Sequence, residues 1–239
     1  MPSATTDNLA VLVDADNAQA SVIAELFAEV ARYGTPTVKR AYGDWTTPNL
    51  SGWKDVLHLH AIQPIQQFRY TTGKNATDSA LIIEAMDLLH GGKVDGFCLV
   101  SSDSDFTRLA TRIREAGLSV YGFGEKKTPK PFVAACDKFI YTEILRKPLP
   151  GTPVEAPVQT SLRPLLSAAI AAAIQEDGWA FLGVVGGLLL KSDPSFDSRN
   201  FGFRKLGDLV KAQPYLEVKS VPSSEGSQSM RLFVRVKEP

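Results

Sequence analysis

Through the first 145 positions, short apolar runs alternate with longer amphipathic stretches. Leu9-Ala10-Val11-Leu12-Val13 is an unbroken apolar run, the pattern of a strand buried on both faces. Val22, Ile23, Leu26, Phe27, Val30 and Ala31 follow at the spacing of an amphipathic helix. Residues 37–42, 62–68, 96–100, 119–123 and 139–141 read as further strands. Residues 50–59 read as a helix, and 77–89 as a helix apolar on more than one side, hence deeply packed. Phe106, Leu109, Ala110 and Ile113 mark another helix, stopped by Gly117. This alternation predicts an α/β unit, a parallel sheet flanked by helices on both faces.

The rhythm changes after a stretch containing Pro148, Pro150, Pro153 and Pro157 with no apolar period. Each proline removes a donor and restricts the residue before it, so the stretch reads as an extended linker. The expected division is therefore a first domain over 1–147, a linker over 148–160 and a second domain over 161–239. In the second, 162–176, 182–191 and 203–212 read as helices, although Gly183, Gly186 and Gly187 weaken the middle one. Residues 215–218 and 232–236 alternate like a hairpin, and the polar stretch 223–229 reads as a loop. Three helices and a terminal two-stranded wing predict a small winged helix-turn-helix domain.

With 239 residues the chain has room for one or two domains at about 150 residues each. An apolar share of 44% excludes a largely disordered, collagen-like or coiled-coil chain. The 26 basic and 26 acidic residues cancel, so an anionic partner must be met by a local patch. Two cysteines, Cys98 and Cys136, make neither a disulfide framework nor a zinc cluster, and Cys98 sits in an apolar run as a small buried hydrophobe. No signal-peptide pattern and no window of about 18 apolar residues is present, so the expectation is a soluble cytoplasmic protein.

The chemistry is carried by acids at predicted strand ends. The first strand runs into Asp14-Ala15-Asp16-Asn17, and the strand at 96–100 into Ser101-Ser102-Asp103-Ser104-Asp105. In doubly wound sheets ligands bind beyond the carboxyl ends of the strands, so Asp14 and Asp103 are expected at one crevice. Asp78, at the start of its helix, is expected to point to the same end. One such aspartate is readily explained as a helix cap, and Ser104 or Asp105, Thr77 or Asp78 suit that role. Several converging acids are not, because two charges about 4 Å apart repel by roughly 4 kcal/mol at an effective dielectric of about 20. A divalent cation removes that repulsion, and Mg²⁺ favours carboxylates, water and phosphate oxygens. Phosphodiester hydrolysis is the natural reaction of such a site. Asn17 and Ser102 are candidates to orient a carboxylate, water or phosphate, and Lys74 and Arg108 to offset phosphate charge.

At these residues the sequence resembles the NYN domains of the PIN-like nuclease superfamily, the LabA-like branch especially. The resemblance rests on Leu12 to Asn17, Ala41-Tyr42-Gly43-Asp44-Trp45, Gly73-Lys74-Asn75-Ala76-Thr77-Asp78 and Val100 to Phe106, which in this order span most of 8–145. It implies a PIN-like, Rossmann-like α/β fold and RNA cleavage dependent on Mg²⁺ or Mn²⁺. The acidic site it implies is Asp14, Asp78, Asp103 and Asp105, with Asn17 beside Asp14; Asp16 departs from the small residue many members carry. The second domain resembles an OST-HTH (LOTUS) domain through 162–174, Asp177-Gly178-Trp179-Ala180, 201–209 and Leu216-Glu217-Val218. That resemblance implies RNA binding.

Lys126, Lys127 and Lys130, in the stretch after Phe123, and Arg204 and Lys205, opening the third helix of the second domain, are candidate RNA contacts. Tyr42, Trp45, Phe68 and Tyr70 lie near strand ends, where aromatics stack on unpaired bases, although core packing accounts for any one of them. His58 and His60 have a chelating spacing on a strand but no third ligand. The leading reading is a two-domain metal-dependent endoribonuclease. The alternatives are a non-cleaving RNA-binding adaptor and a phosphatase of the haloacid dehalogenase type, which the Asp14-Ala15-Asp16 segment imitates. The RNA target, the metal and a homodimeric state are not specified by the sequence.

Overall fold

The computed structural model describes residues 7–68, 76–146, 162–222 and 230–237. They belong to two compact units, Met1–Lys147 and Pro148–Pro239.

In the first unit, β1 (Asn8–Asp14) is buried at every position after Asn8. Such a strand has no polar face and needs cover on both sides. Ala10 and Leu12 pack into one apolar cluster with Leu81, Ala85 and Leu109, while Val11 and Val13 pack into another with Ile23, Leu26 and Trp53. The remaining elements, α5 apart, alternate as the pattern predicts: α1 (Ile23–Val30), β2 (Thr35–Gly43), α2 (Lys54–Leu59), β3 (Gln63–Gln66), α3 (Ala76–Gly91), β4 (Gly96–Val100), α4 (Thr107–Glu115), β5 (Ser119–Gly124), α5 (Lys130–Ala135) and β6 (Lys138–Tyr141). Short 3-10 turns, Ala20–Val22, Pro48–Trp53 and Ser104–Phe106, lead into α1, α2 and α4.

All six strands pair in parallel, in the order β3-β2-β1-β4-β5-β6. The order reverses between β1 and β4, so the helices that follow these two strands leave on opposite faces and open a crevice at their carboxyl ends. Register pairs Val13 with Val100 and Asp14 with Tyr42, which sets Asp14 and Ser101 on the next rung together. This is the PIN-like α/β architecture.

Two elements differ from the sequence reading. Helix α3 is not packed all round: Leu81, Ala85 and Leu89 meet the sheet, but Ile83 stands 61% exposed. Apolar residues beyond the buried stripe stay in water, because an outer-layer helix has only one covered face. Helix α5 has no counterpart in the sequence pattern, since six residues are too few to show a period; Phe132, Val133 and Ala135 bury it.

The second unit contains α6 (Leu162–Ala173), β7 (Ala180–Phe181), α7 (Leu182–Ser192), α8 (Leu206–Lys211), β8 (Leu216–Pro222) and β9 (Met230–Val236). Its sheet is antiparallel, in the order β7-β9-β8, and packs over Leu166, Ile170, Val185, Leu189 and Leu209. This is a winged-helix arrangement. Helix α6 stops short of the expected Glu176, because Ile174 bridges Ala180 and the chain turns at Gly178, φ 76°. Two glycines of α7 sit at close contacts, since a Cβ on Gly183 would meet the Phe181 ring at 2.7 Å and one on Gly186 the Leu206 side chain at 3.2 Å, while Gly187 faces open space. No described helix is long and apolar enough to cross a membrane.

Candidate active site

Asp14 ends β1 at the reversal point and is fully buried. Its Oδ2 accepts hydrogen bonds from Asn17 Nδ2 at 2.7 Å and Ser101 Oγ at 2.8 Å. Its Oδ1 is buried with no hydrogen-bond partner among the described residues. Burial raises the Asp14 pKa above the usual carboxylate range, against the pull of the Asn17 and Ser101 bonds. Ser101 faces both ways, since its Oγ also accepts the Asp103 N–H at 3.1 Å. The ends of β1 and β4 are thereby tied through one hydroxyl.

Beyond Ser101, the Asp103 carboxylate accepts the Asp105 N–H at 2.9 Å and caps the 3-10 turn that leads into α4. Asp103, rather than Ser104 or Asp105, takes the capping role. Thr77 and Asp78 lie inside α3, where Thr77 Oγ1 donates to Asp16 Oδ2 at 3.1 Å. Asp78, Asp103 and Asp105 each place a carboxylate oxygen within 4.8 Å of the other two. Asp14 stands outside this close group, but its charge reaches it. Burial, then the charges of Asp14, Asp103, Asp105 and Asp16, push the Asp78 pKa up to about 6.

Three convergent carboxylates and a buried, unpartnered carboxylate oxygen together suit a hard divalent cation, which takes oxygen ligands and cancels the mutual repulsion. The sequence pattern directs Asp14, Asp78, Asp103 and Asp105 to one end of the sheet, and the fold assembles them there. Ser101 and the link from Thr77 to Asp16 have no signal in the sequence. The serine that bonds Asp14 is Ser101; Ser102, expected to orient a ligand, accepts the Glu125 N–H at 2.9 Å. Alternation along the end of a strand turns only one of two successive serines to the crevice.

The other candidates are dispersed. Arg108, on α4, is exposed. Lys126 and Lys127 are exposed in the turn after β5, where Lys127 pairs with Glu125 at 2.7 Å, while Lys130 heads α5. Arg204 and Lys205 are exposed in the turn before α8 rather than on the helix. Lys74 and Tyr70 lie outside the described residues. Tyr42 is fully buried and donates its hydroxyl to Glu84 at 2.8 Å, so it offers no face to a base. Trp45 is half-buried, with its indole N–H on the Ile65 carbonyl, and Phe68 is exposed. His58 and His60 belong to α2 and its end, not to a strand, and the His60 ring stacks on Phe27.

A family model of the NYN domain matches residues 8–145. The chain belongs to the NYN family. A model of the OST-HTH/LOTUS domain matches residues 156–228. NYN domains are PIN-like nuclease domains and OST-HTH domains bind RNA, a combination that fits a ribonuclease. Among solved structures, the chain is similar to a Vibrio parahaemolyticus protein of unknown function at 22% identity, over 58% of this chain and 94% of that one, TM-score 0.48. It is also similar to an uncharacterized protein from Nitrosomonas europaea at 34% identity, over 39% of this chain and 90% of that one, TM-score 0.32. A Chromobacterium violaceum protein fragment is similar at 35% identity, over 33% of this chain and 82% of that one, TM-score 0.27. No curated protein matches the chain.

Proposed function

We propose that this NYN protein is a metal-dependent endoribonuclease that hydrolyses RNA phosphodiester bonds at the aspartate cluster, and that its C-terminal domain recruits the RNA. The convergence of Asp78, Asp103 and Asp105 carries the reading, because close carboxylates repel one another and a divalent cation held among them removes that repulsion.

Asp14, Asp78, Asp103 and Asp105 would hold Mg²⁺ or Mn²⁺. A bound ion lowers the pKa of water and offsets charge on the phosphoryl group in the transition state. The chain's own residues prepare that site. Asn17 and Ser101 fix one oxygen of Asp14 and leave the other without a partner among the described residues, so little reorganisation is left for the reaction. The Ser101 hydroxyl, which donates to Asp14 and accepts the Asp103 N–H, ties the ends of β1 and β4 together. Arg108, Lys126, Lys127 and Lys130, with Lys74, supply positive charge to the RNA backbone.

The test is cleavage of labelled single-stranded and structured RNA with Mn²⁺ or Mg²⁺ by wild type and Asp103→Asn, with an EDTA control. The expected result is cutting by wild type with no covalent phospho-aspartate formed, and loss of cutting in both the variant and the control. A pure wild type that never cuts, yet binds RNA as well as Asp103→Asn does, would instead be an adaptor.

A further inference from the structure

The outer face of the C-terminal sheet carries residues that its core does not use. Along β9, Leu232 and Val234 pack into the core with Ala180, Leu216 and Val218, so Arg231, Phe233 and Arg235 project from the other face. Phe233 pairs with Phe181 on β7 and with Lys219 on β8, and Arg235 pairs with Glu217. The two phenylalanine rings lie 5.6 Å apart between centroids. Trp179 precedes β7, and its ring lies 4.4 Å from Lys219 Nζ and 4.6 Å from the Arg235 guanidinium. Lys219 Nζ is also 5.4 Å from the Phe233 ring. Two acids hold these cations in place: Asp177 bonds Lys219 at 3.1 Å, and Glu217 bonds Arg235 at 2.6 Å.

Polar cross-strand pairs suffice to stabilise a sheet face that meets water. Trp179, Phe181 and Phe233 are only half-buried and add apolar surface that no element among the described residues covers. Rings interleaved with cations suit unpaired nucleotides, whose bases stack on the rings while their phosphates meet the cations. Here Lys219, Arg231 and Arg235 outnumber Asp177 and Glu217, so the face complements a polyanion although the whole chain has a formal charge of zero.

We propose that this face is the stacking platform on which the C-terminal domain takes single-stranded RNA, an inference that rests on the RNA-recruiting role argued above. Binding exchanges cation–ring contacts for base–ring stacking and turns Lys219 and Arg235 to phosphate. The platform is separable from Arg204 and Lys205. Those residues precede α8, which packs on the core side of the sheet, where a Cβ on Gly207 would meet Leu232 at 2.9 Å.

The test uses the full-length protein in EDTA, with fluorescence anisotropy of a labelled oligouridylate about 12 nucleotides long. A matched strand carrying abasic sites serves as the second probe. Stacking predicts that the abasic strand binds at least about 5-fold more weakly, a comparison that needs no variant. Trp179→Ala weakens binding of the oligouridylate by about 5- to 100-fold, and Trp179→Phe, which keeps a ring, restores most of it. Equal binding of the two strands overturns the platform whatever the variants do, and leaves RNA recruitment standing on backbone contacts. Should wild type bind neither strand, nor any structured RNA, the recruiting role falls with it.

Discussion

Replacing Asp78 by asparagine separates what the aspartate cluster costs the fold from what it does. The Asp78 pKa rises from an ordinary 3.8 to about 6, first through burial and then through four neighbouring acids. A folded-state value above the unfolded one means that the folded protein binds the proton more tightly. The contribution of Asp78 to stability is therefore greatest below about pH 4, falls as pH rises toward 6, and is flat beyond it. At neutral pH the full cost is about 3 kcal/mol, and solvent around the more exposed Asp105 trims this to about 2 kcal/mol. Asp78→Asn keeps the shape and removes the charge, so in EDTA at pH 7 the NYN transition in a calorimetric scan moves up by about 4–8 °C. At pH 4 the gain disappears, because wild-type Asp78 is already protonated. Saturating Mn²⁺ raises the wild-type transition and moves the variant less, and the variant does not cut RNA. An unchanged melting temperature at pH 7, or an equal gain at pH 4, would refute the repulsion argument.

Ser101→Ala removes one of the two bonds to Asp14 and the acceptor for the Asp103 N–H; a loss of about 1–3 kcal/mol in urea melts and lower activity at unchanged RNA affinity are expected. Gly124→Ala places a Cβ 2.6 Å from the Ser101 carbonyl and 2.7 Å from Thr128 Oγ1, so it displaces the end of β4. Activity and stability then fall together, by assay and melt of the same sample. Converting Lys126, Lys127 and Lys130 to glutamine is expected to flatten the salt dependence of RNA binding, by a slope of about 0.7 for each phosphate no longer neutralised. A slope equal to that of wild type would make these lysines bystanders.

The fold was legible because β1 and β4 are buried on both faces and carry unbroken apolar runs, which amphipathic patterning cannot disguise. The acids were legible for a related reason: they directly follow those runs, so locating the strand ends locates the carboxylates. What the sequence hid depended on side-chain direction. Ser101 and Ser102 are chemically identical, and only the register of β4 decides which one reaches Asp14. Thr77 and Asp16 are 61 positions apart, and their bond exists only once α3 lies beside the end of β1. Tyr42 looks available for stacking because it falls at a strand end, yet the inner strands of this sheet are covered to their tips, and Glu84 on α3 claims its hydroxyl. Of the platform residues, Trp179 and Phe181 are hidden in the sequence because β7 is two residues long and leaves no alternation to read.

The site stores cost where the fold can best bear it. Asp14 is anchored at the end of a buried strand and given two donors on one oxygen, while its other oxygen has no partner among the described residues. A buried acceptor without a partner costs about 1–3 kcal/mol, and the charges gathered around Asp78 add to that. Neither cost is relieved by moving, because Asp103 is fixed by the Ser101 hydroxyl and by the turn it caps, and Asp78 rides on a helix of four turns packed along the sheet. A rigid arrangement of mutually repelling carboxylates is what a cation binds most tightly, since the chain has little to reorganise around it. Rigid placement therefore predicts that metal binding follows the geometry of these anchors as closely as the acids themselves. Asn17→Ala, which keeps every carboxylate but frees Asp14 to turn, is expected to weaken Mn²⁺ binding in calorimetric titration by about 10-fold. Undiminished affinity in that variant would mean that the acids find the ion without being held.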